Sequence, residues 1–225
     1  MDQARQAILR PRQAAYLEGL GPARAELLLE MEELARRKNL TISAPPVGRL
    51  LSILVQATAA RRVLEIGTGI GYACVSLTSG SESVRVTSID RDAEMLRIAT
   101  GFIERCEVAE RVELLCGEAV DQLRSVQGPY DMCFIDTDPR DCRRCLDLGL
   151  QVLRVGGLVI ANNLLWRGLV AEPGLEGDRD SEDMRAFGGY FVMYPQLESI
   201  VLPVAGGVGL AVKSTHLTTD VGGPF

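Results

Sequence analysis

Residues 63–72 read VLEIGTGIGY: a short apolar run carrying one carboxylate, Glu65, leads into three alternating glycines, Gly67, Gly69 and Gly71. Glycines at that spacing let the main chain bend tightly and come close to another group. The apolar run reads as a strand and the residues after the glycines as a helix. This strand–loop–helix unit is the start of a larger pattern.

Downstream, short apolar strands alternate with helices. Residues 62–66 form the first strand, with a helix over 70–79. A strand at 84–89 is followed by a helix over 92–106, and a strand at 111–116 by a helix over 118–126. A strand at 130–135 precedes a helix from about 140 to 153, and a fifth strand covers 156–162. After a Gly-rich, acidic loop (about 167–180) and a helix running to 193, the segments LESIVLPV and GVGLAVK form two strands joined by Ala205-Gly206-Gly207. Alternation of this kind predicts a doubly wound α/β domain: a mostly parallel seven-stranded sheet, helices on both faces, and an antiparallel C-terminal hairpin at one edge. Upstream, helices are expected over 2–17 and 22–38, with Pro22 in the first turn, and from about Pro45 through VGRLLSILVQATA. The organisation expected is one domain over 1–225: a helical extension (1–42), a core (43–213) and a tail (214–225).

Composition narrows the classes of function. A net charge of −6 and a pI near 5.0 argue against a nucleic-acid binder, whose footprint is basic. Arg36-Arg37-Lys38 reads as a helix C-terminus complementing its dipole. The N-terminus lacks the uninterrupted apolar core of a signal peptide, and no run approaches the roughly 18 apolar residues of a membrane span. A soluble, cytoplasmic protein with no membrane partner is expected. Its six cysteines should be reduced, with Cys142 and Cys145 sharing one helical face. His216, the only histidine, sits in the tail, so histidine acid–base chemistry is not expected.

In such a sheet, ligands bind beyond the carboxyl ends of the strands. The glycine loop stands at one such end. Asp90 stands at the next, 21 residues after Gly69, where a carboxylate can accept both ribose hydroxyls. Together they point to a nucleoside-bearing ligand. The spacing is GxGxG rather than the GxGxxG of dinucleotide sites, and Glu65 is poor company for a pyrophosphate but suits a ligand with an ammonium group. S-adenosylmethionine is therefore preferred over a nicotinamide or flavin nucleotide.

The segments LLSILVQATAARRVLEIGTGIGY, VTSIDRD, CGEAVDQL, YDMCFIDTD, LRVGGLVIANNLLWRG and LPVAGGVGLAVK, in this order, resemble the class I S-adenosylmethionine-dependent O-methyltransferases of the catechol and caffeoyl-CoA type. The resemblance runs from about Ser43 to Lys213. It implies that Glu65, Gly67, Thr68, Gly69, Gly71 and Tyr72 surround the donor's amino-acid end and that Asp90 holds the ribose. Gly117, Glu118 and Ala119 would flank the adenine, with Arg91 as a cover on that side. Asp136 would be the catalytic residue between donor and a small hydroxyl-bearing acceptor. The resemblance also implies a divalent cation such as Mg²⁺, with Asp136, Asn162 and Asn163 at the metal positions, and a homodimer.

The chain departs from that family at several points. Asn162-Asn163 stands where the family has Asp-Asn, and Pro139 where it has a lysine acting as base. Ala73 replaces a common serine, and Gly188 falls in a common Phe-Asn pair. Asp138 or the acidic loop EPGLEGDRDSED could supply a ligand instead. For Asp138, helix N-capping ahead of Pro139 is the simpler expectation, and for the loop, plain solvation. Arg140 is read as solvent-facing, with an anionic substrate as the alternative. Trp166 either walls the acceptor or packs against a neighbouring subunit, and the N-terminal helices form either a lid or a dimer surface. The functions in contention are a methyltransferase, a donor-binding protein without transfer chemistry, and a nucleotide-dependent oxidoreductase.

Overall fold

The computed structural model describes residues 10–21, 23–172 and 178–215. Seven strands form one sheet in the order β3-β2-β1-β4-β5-β7-β6: β1 (Arg62–Ile66), β2 (Arg85–Asp90), β3 (Val112–Cys116), β4 (Tyr130–Ile135), β5 (Leu153–Ala161), β6 (Leu197–Leu202) and β7 (Val208–Lys213). The pairings among β1 to β5 are parallel. β7 runs antiparallel to β5 and to β6, which puts the hairpin at the sheet edge. The strand order reverses at β1 and β4, the switch point where such sheets bind ligands.

Among the described residues, eight α-helices accompany the sheet: α1 (Pro11–Leu20), α2 (Glu26–Lys38), α3 (Pro45–Thr58), α4 (Tyr72–Thr78), α5 (Ala93–Arg105), α6 (Ala119–Leu123), α7 (Pro139–Val152) and α8 (Arg179–Val192). Side-chain alternation along the strands sorts them into two layers. Val63, Met132, Phe134 and Ile160 face one way and pack with Met31 of α2, Leu51 of α3, Leu77 of α4 and Phe102 of α5. Leu64, Cys133, Ile135 and Val159 face the other way, onto Leu123 of α6, Leu146 of α7 and Phe187 and Phe191 of α8. Cys142 and Cys145 lie buried on the inner face of α7, and all six thiols are free.

Helix limits differ from expectation where a backbone constraint intervenes. Pro11 opens α1 at its first turn, because a proline inside the expected 2–17 helix would break its ladder. Residues 1–9, Pro22, 173–177 and the tail with His216 lie outside the described residues. α4 starts at Tyr72 because Gly71, at φ +88°, caps it. Arg36, Arg37 and Lys38 do fall in the last turn of α2, where left-handed Asn39 closes the helix.

The first layer contains one buried carboxyl. Glu65 is 0% exposed. Its Oε2 accepts a hydrogen bond from Ser88 Oγ at 2.6 Å, and Ser88 Oγ in turn lies 2.6 Å from Thr68 Oγ1. Oε1 lacks a hydrogen bond of good geometry among the described residues, with the Cys74 thiol beside it. Burial pushes the Glu65 pKa up to about 8, aided by the charges of Asp136 and Asp90 against the pull of Ser88. Between its ordinary value of 4.5 and 8, the folded chain thus holds a proton that the unfolded chain releases. Stability from this group is full below that window and is lost as pH rises through it. The urea midpoint of the wild type should therefore fall more steeply from about pH 5 to about pH 8 than that of Glu65→Gln. Parallel slopes would contradict the assignment.

Candidate functional site

A cleft of about 580 Å³ opens at the carboxyl ends of β1, β2 and β4, within the range of small-molecule sites. Gly67, Thr68, Gly69 and Ile70 form one wall, Asp90 and Arg91 the next, and Ser43 and Asp136 line it as well. The wall exists because of close backbone packing. A Cβ on Gly67 would stand 1.9 Å from the Asp136 carbonyl oxygen, and Gly67, Gly69 and Gly71 all have positive φ. Their N–H groups are spent inside the protein: Gly67 on Ile89 O, Gly71 on Thr68 O, and Gly69 on Asp90 Oδ2 at 2.8 Å. The glycines therefore provide room rather than donors.

Asp90 is held by two such bonds, since its Oδ1 accepts from Asp92 N–H at 2.9 Å. Each carboxylate oxygen keeps a further lone pair for a ligand hydroxyl. Glu118 and Ala119 line the cleft beyond it. Gly117 turns the chain at φ +149° against the Gln122 amide. Arg91 reaches Asp138 (3.4 Å) and Glu118 (3.9 Å) across the mouth. Tyr72 lines the cleft but donates its hydroxyl to Glu32 Oε1 at 2.8 Å. Glu65 is not among the lining residues; it sits behind the loop and supports it through Ser88 and Thr68.

Asp136 is surrounded by neutral donors. Its Oδ2 accepts from Ser43 Oγ at 2.6 Å and Asn162 Nδ2 at 3.0 Å. Its Oδ1 accepts from Asn163 Nδ2 at 3.2 Å. Burial in the cleft raises its pKa against the opposing effect of Ser43 and Asn162. The Asn162 Oδ1 atom is buried without a partner among the described residues. Among those residues no three His, Cys, Asp or Glu side chains gather as a metal site would. Asp138 N-caps α7 ahead of Pro139 and takes Arg140 as its ion pair. Partial burial works to raise its pKa, and Arg140 with Arg91 outweighs that and holds it low.

Sequence reasoning missed Ser43, with its neighbours Thr41 and Ile42. No local signal marks the serine; its role depends on Asp136, 93 residues away. Trp166 lines the cleft and packs against the core of the second layer of its own chain.

The comparisons with known proteins agree with this geometry. The family described as O-methyltransferase matches residues 22–214. A caffeoyl-CoA O-methyltransferase of Populus kitakamiensis is 30% identical over 72% of this chain and 73% of its own length. The O-methyltransferase of Bacillus cereus, solved in complex with SAH, superposes with a TM-score of 0.79 at 27% identity, covering 88% of this chain and 96% of that one. The O-methyltransferase TomG of Streptomyces achromogenes, in complex with SAM, gives 0.79 at 26% identity, covering 95% and 99%. With its sheet order, its glycine wall and its acid at the end of β2, the chain belongs to the O-methyltransferase family.

Proposed function

We propose that the cleft binds S-adenosylmethionine and that the protein methylates a hydroxyl of a small phenolic, catechol-like acceptor, with the family's metal site altered. The observation that carries this reading is the pairing of a fixed Asp90 with an Asp136 ringed by neutral donors. Asp90 would take the ribose hydroxyls, and Gly117, Glu118, Ala119 and Arg91 the adenine side. Gly67 to Tyr72, backed by Glu65, would take the amino-acid end. The bound donor supplies a methyl group whose bond to sulfur breaks as the bond to the acceptor oxygen forms. The protein's part is to hold that oxygen in line and to receive the hydroxyl proton, a task that falls to Asp136.

The residues at the family's metal position do not fit a hard divalent cation. Such an ion wants several oxygen ligands with carboxylates among them, whereas Asp136 brings one carboxylate whose neighbours turn amide nitrogens toward it. Pro139 cannot replace the family's lysine base. An acceptor acidic enough to give up its proton to a lone carboxylate suits this site best.

The architecture proposed is one methyltransferase unit in which residues 1–42 extend the core of 43–213. On α1, Tyr16, Leu17 and Leu20 are more than half exposed, an apolar surface that suits a homodimer. Six free thiols suit the reducing cytoplasm, and among the described residues no helix is long and apolar enough to cross a membrane.

Calorimetry with S-adenosylhomocysteine, followed by turnover on a panel of phenols, tests the reading. Asp90→Ala should weaken binding by about tenfold or more, as expected for lost hydrogen bonds to a charged group. Unchanged affinity would remove Asp90 from the ribose site, and binding without turnover of any phenol would leave a donor-binding protein. Asn162→Asp should raise Mn²⁺ affinity, read by electron paramagnetic resonance, by about tenfold or more, because it adds a carboxylate at close range. A wild type that binds Mn²⁺ as tightly as the variant would refute the altered site. Sedimentation should give twice the 24.4 kDa chain mass; a monomer would dismiss the dimer.

A further inference from the structure

The segment after β5 carries an unusual concentration of left-handed backbone. Seven non-glycine residues among those described have positive φ, and three of them fall within five positions: Asn163 (62°), Trp166 (40°) and Arg167 (57°). Gly168 follows at 84°. Left-handed backbone is unfavourable for side chains of this size, and clusters of it occur where side chains must be aimed at a site. All three residues line the cleft.

Two of the three have evident work. Asn163 bonds Asp136, and Trp166 packs on the core. Arg167 is different, because among the described residues its guanidinium makes no ion pair or hydrogen bond. The other cation lining the cleft, Arg91, is committed to Asp138 and Glu118, and Arg140 pairs with Asp138. Asp141 and Asp178 also line the cleft. They disfavour an anion beside them, and among the described lining residues Arg167 is the cation without an ion-pair partner.

We propose that Arg167 is a specificity-determining residue that pairs with an anionic substituent, such as a carboxylate, on the acceptor's ring, so that the favoured acceptors are hydroxylated aromatic acids. The inference rests on the phenol-methylating reading and names its substrate class. The ring lies against Trp166, its hydroxyl reaches Asp136, and its carboxylate meets the planar fork of Arg167, which matches a carboxylate in bidentate fashion. Because Arg167 is exposed at the rim, the pairing is screened and its contribution falls with salt.

Two acceptors of the same shape separate charge from fit: 3,4-dihydroxybenzoate and its neutral amide, 3,4-dihydroxybenzamide. Their binding to the S-adenosylhomocysteine complex is measured by calorimetry, and their KM and kcat by methyl transfer. The wild type should prefer the acid, and Arg167→Ala should cut the acid-to-amide affinity ratio by about two- to fivefold. Arg167→Lys should recover part of it, since the charge remains and the fork is lost. Added salt should shrink the wild-type ratio toward that of the alanine variant. An acid-to-amide ratio that is the same in the wild type and Arg167→Ala overturns the proposal, even where both phenols are methylated. Loss of both ligands in equal measure also overturns it, because the residue would then act through structure alone. If the acid binds through Arg167 but neither phenol is methylated, the phenol-methylating reading fails while the anion contact stands.

Discussion

The chain at Gly67 passes so close to the Asp136 carbonyl that no side chain fits between them. Around this contact the sheet's hydrogen bonding continues past the ends of the strands. Gly67 N–H donates to Ile89 O, Gly117 N–H to Asp90 O, Asp136 N–H to Ile66 O and Asn162 N–H to Ile135 O, at 2.8 to 2.9 Å. The residue that follows each of β1, β3, β4 and β5 is therefore fixed in the same ladder as its neighbours. Loops that would otherwise wander become a continuation of the sheet edge. Asp90, Gly67, Asp136 and Asn162 consequently stand side by side although up to 95 residues of sequence separate them. The glycine wall and the Asp136 carboxylate are positioned by backbone geometry, with side-chain packing acting second.

That division explains which features could be read from the sequence. Strands β1 and β4 lie where apolar runs placed them, at 62–66 and 130–135, because a strand buried on both faces is a local pattern. Asp138 as an N-cap before Pro139 was legible for the same reason, since capping involves only adjacent residues. The antiparallel edge followed from the turn residues between β6 and β7. Side-chain direction was less accessible. Glu65 lies in the strand as expected, yet it points into the core behind the glycine loop, as its place in the two-residue alternation dictates once the neighbouring helices are known. Ser43 gave no signal, because its partner is reached only through the tertiary fold.

The electrostatics of the cleft follow a related logic. A carboxylate taken from water needs compensation, either a cation or several hydrogen bonds. At Asp136 the compensation present is a hydroxyl and two amides. Neutral donors lower the cost of the charge without adding an opposite one, so burial still prevails and the group's proton affinity stays raised. Asp138, two residues on, takes the other solution: Arg140 and Arg91 give it two guanidinium partners and hold its pKa low. Two aspartates on one cleft thus differ in basicity because of their neighbours. The more basic of the pair is the one beside the glycine wall, and under the proposed function that is where a proton acceptor has use.

The strain in the segment after β5 must be held by something outside it, and the restraint comes from the C-terminal hairpin. Leu164 N–H donates to Gly207 O at 3.0 Å and Leu165 N–H to Gly206 O at 2.9 Å. Gly207, at φ +89°, tolerates no side chain, since a Cβ there would lie 2.7 Å from the Leu165 backbone nitrogen, and a Cβ on Gly206 would lie 2.5 Å from Asn163 Oδ1 and displace that amide. The Gly-Gly turn between β6 and β7 therefore does more than reverse the chain. It docks the strained segment, and through it sets the aim of Asn163, Trp166 and Arg167. β7 lies between β5 and β6 as an antiparallel strand, and this is what brings its leading turn to the carboxyl end of β5. A parallel strand in the same place would put its start at the other end of the strands, leaving the segment after β5 without this support.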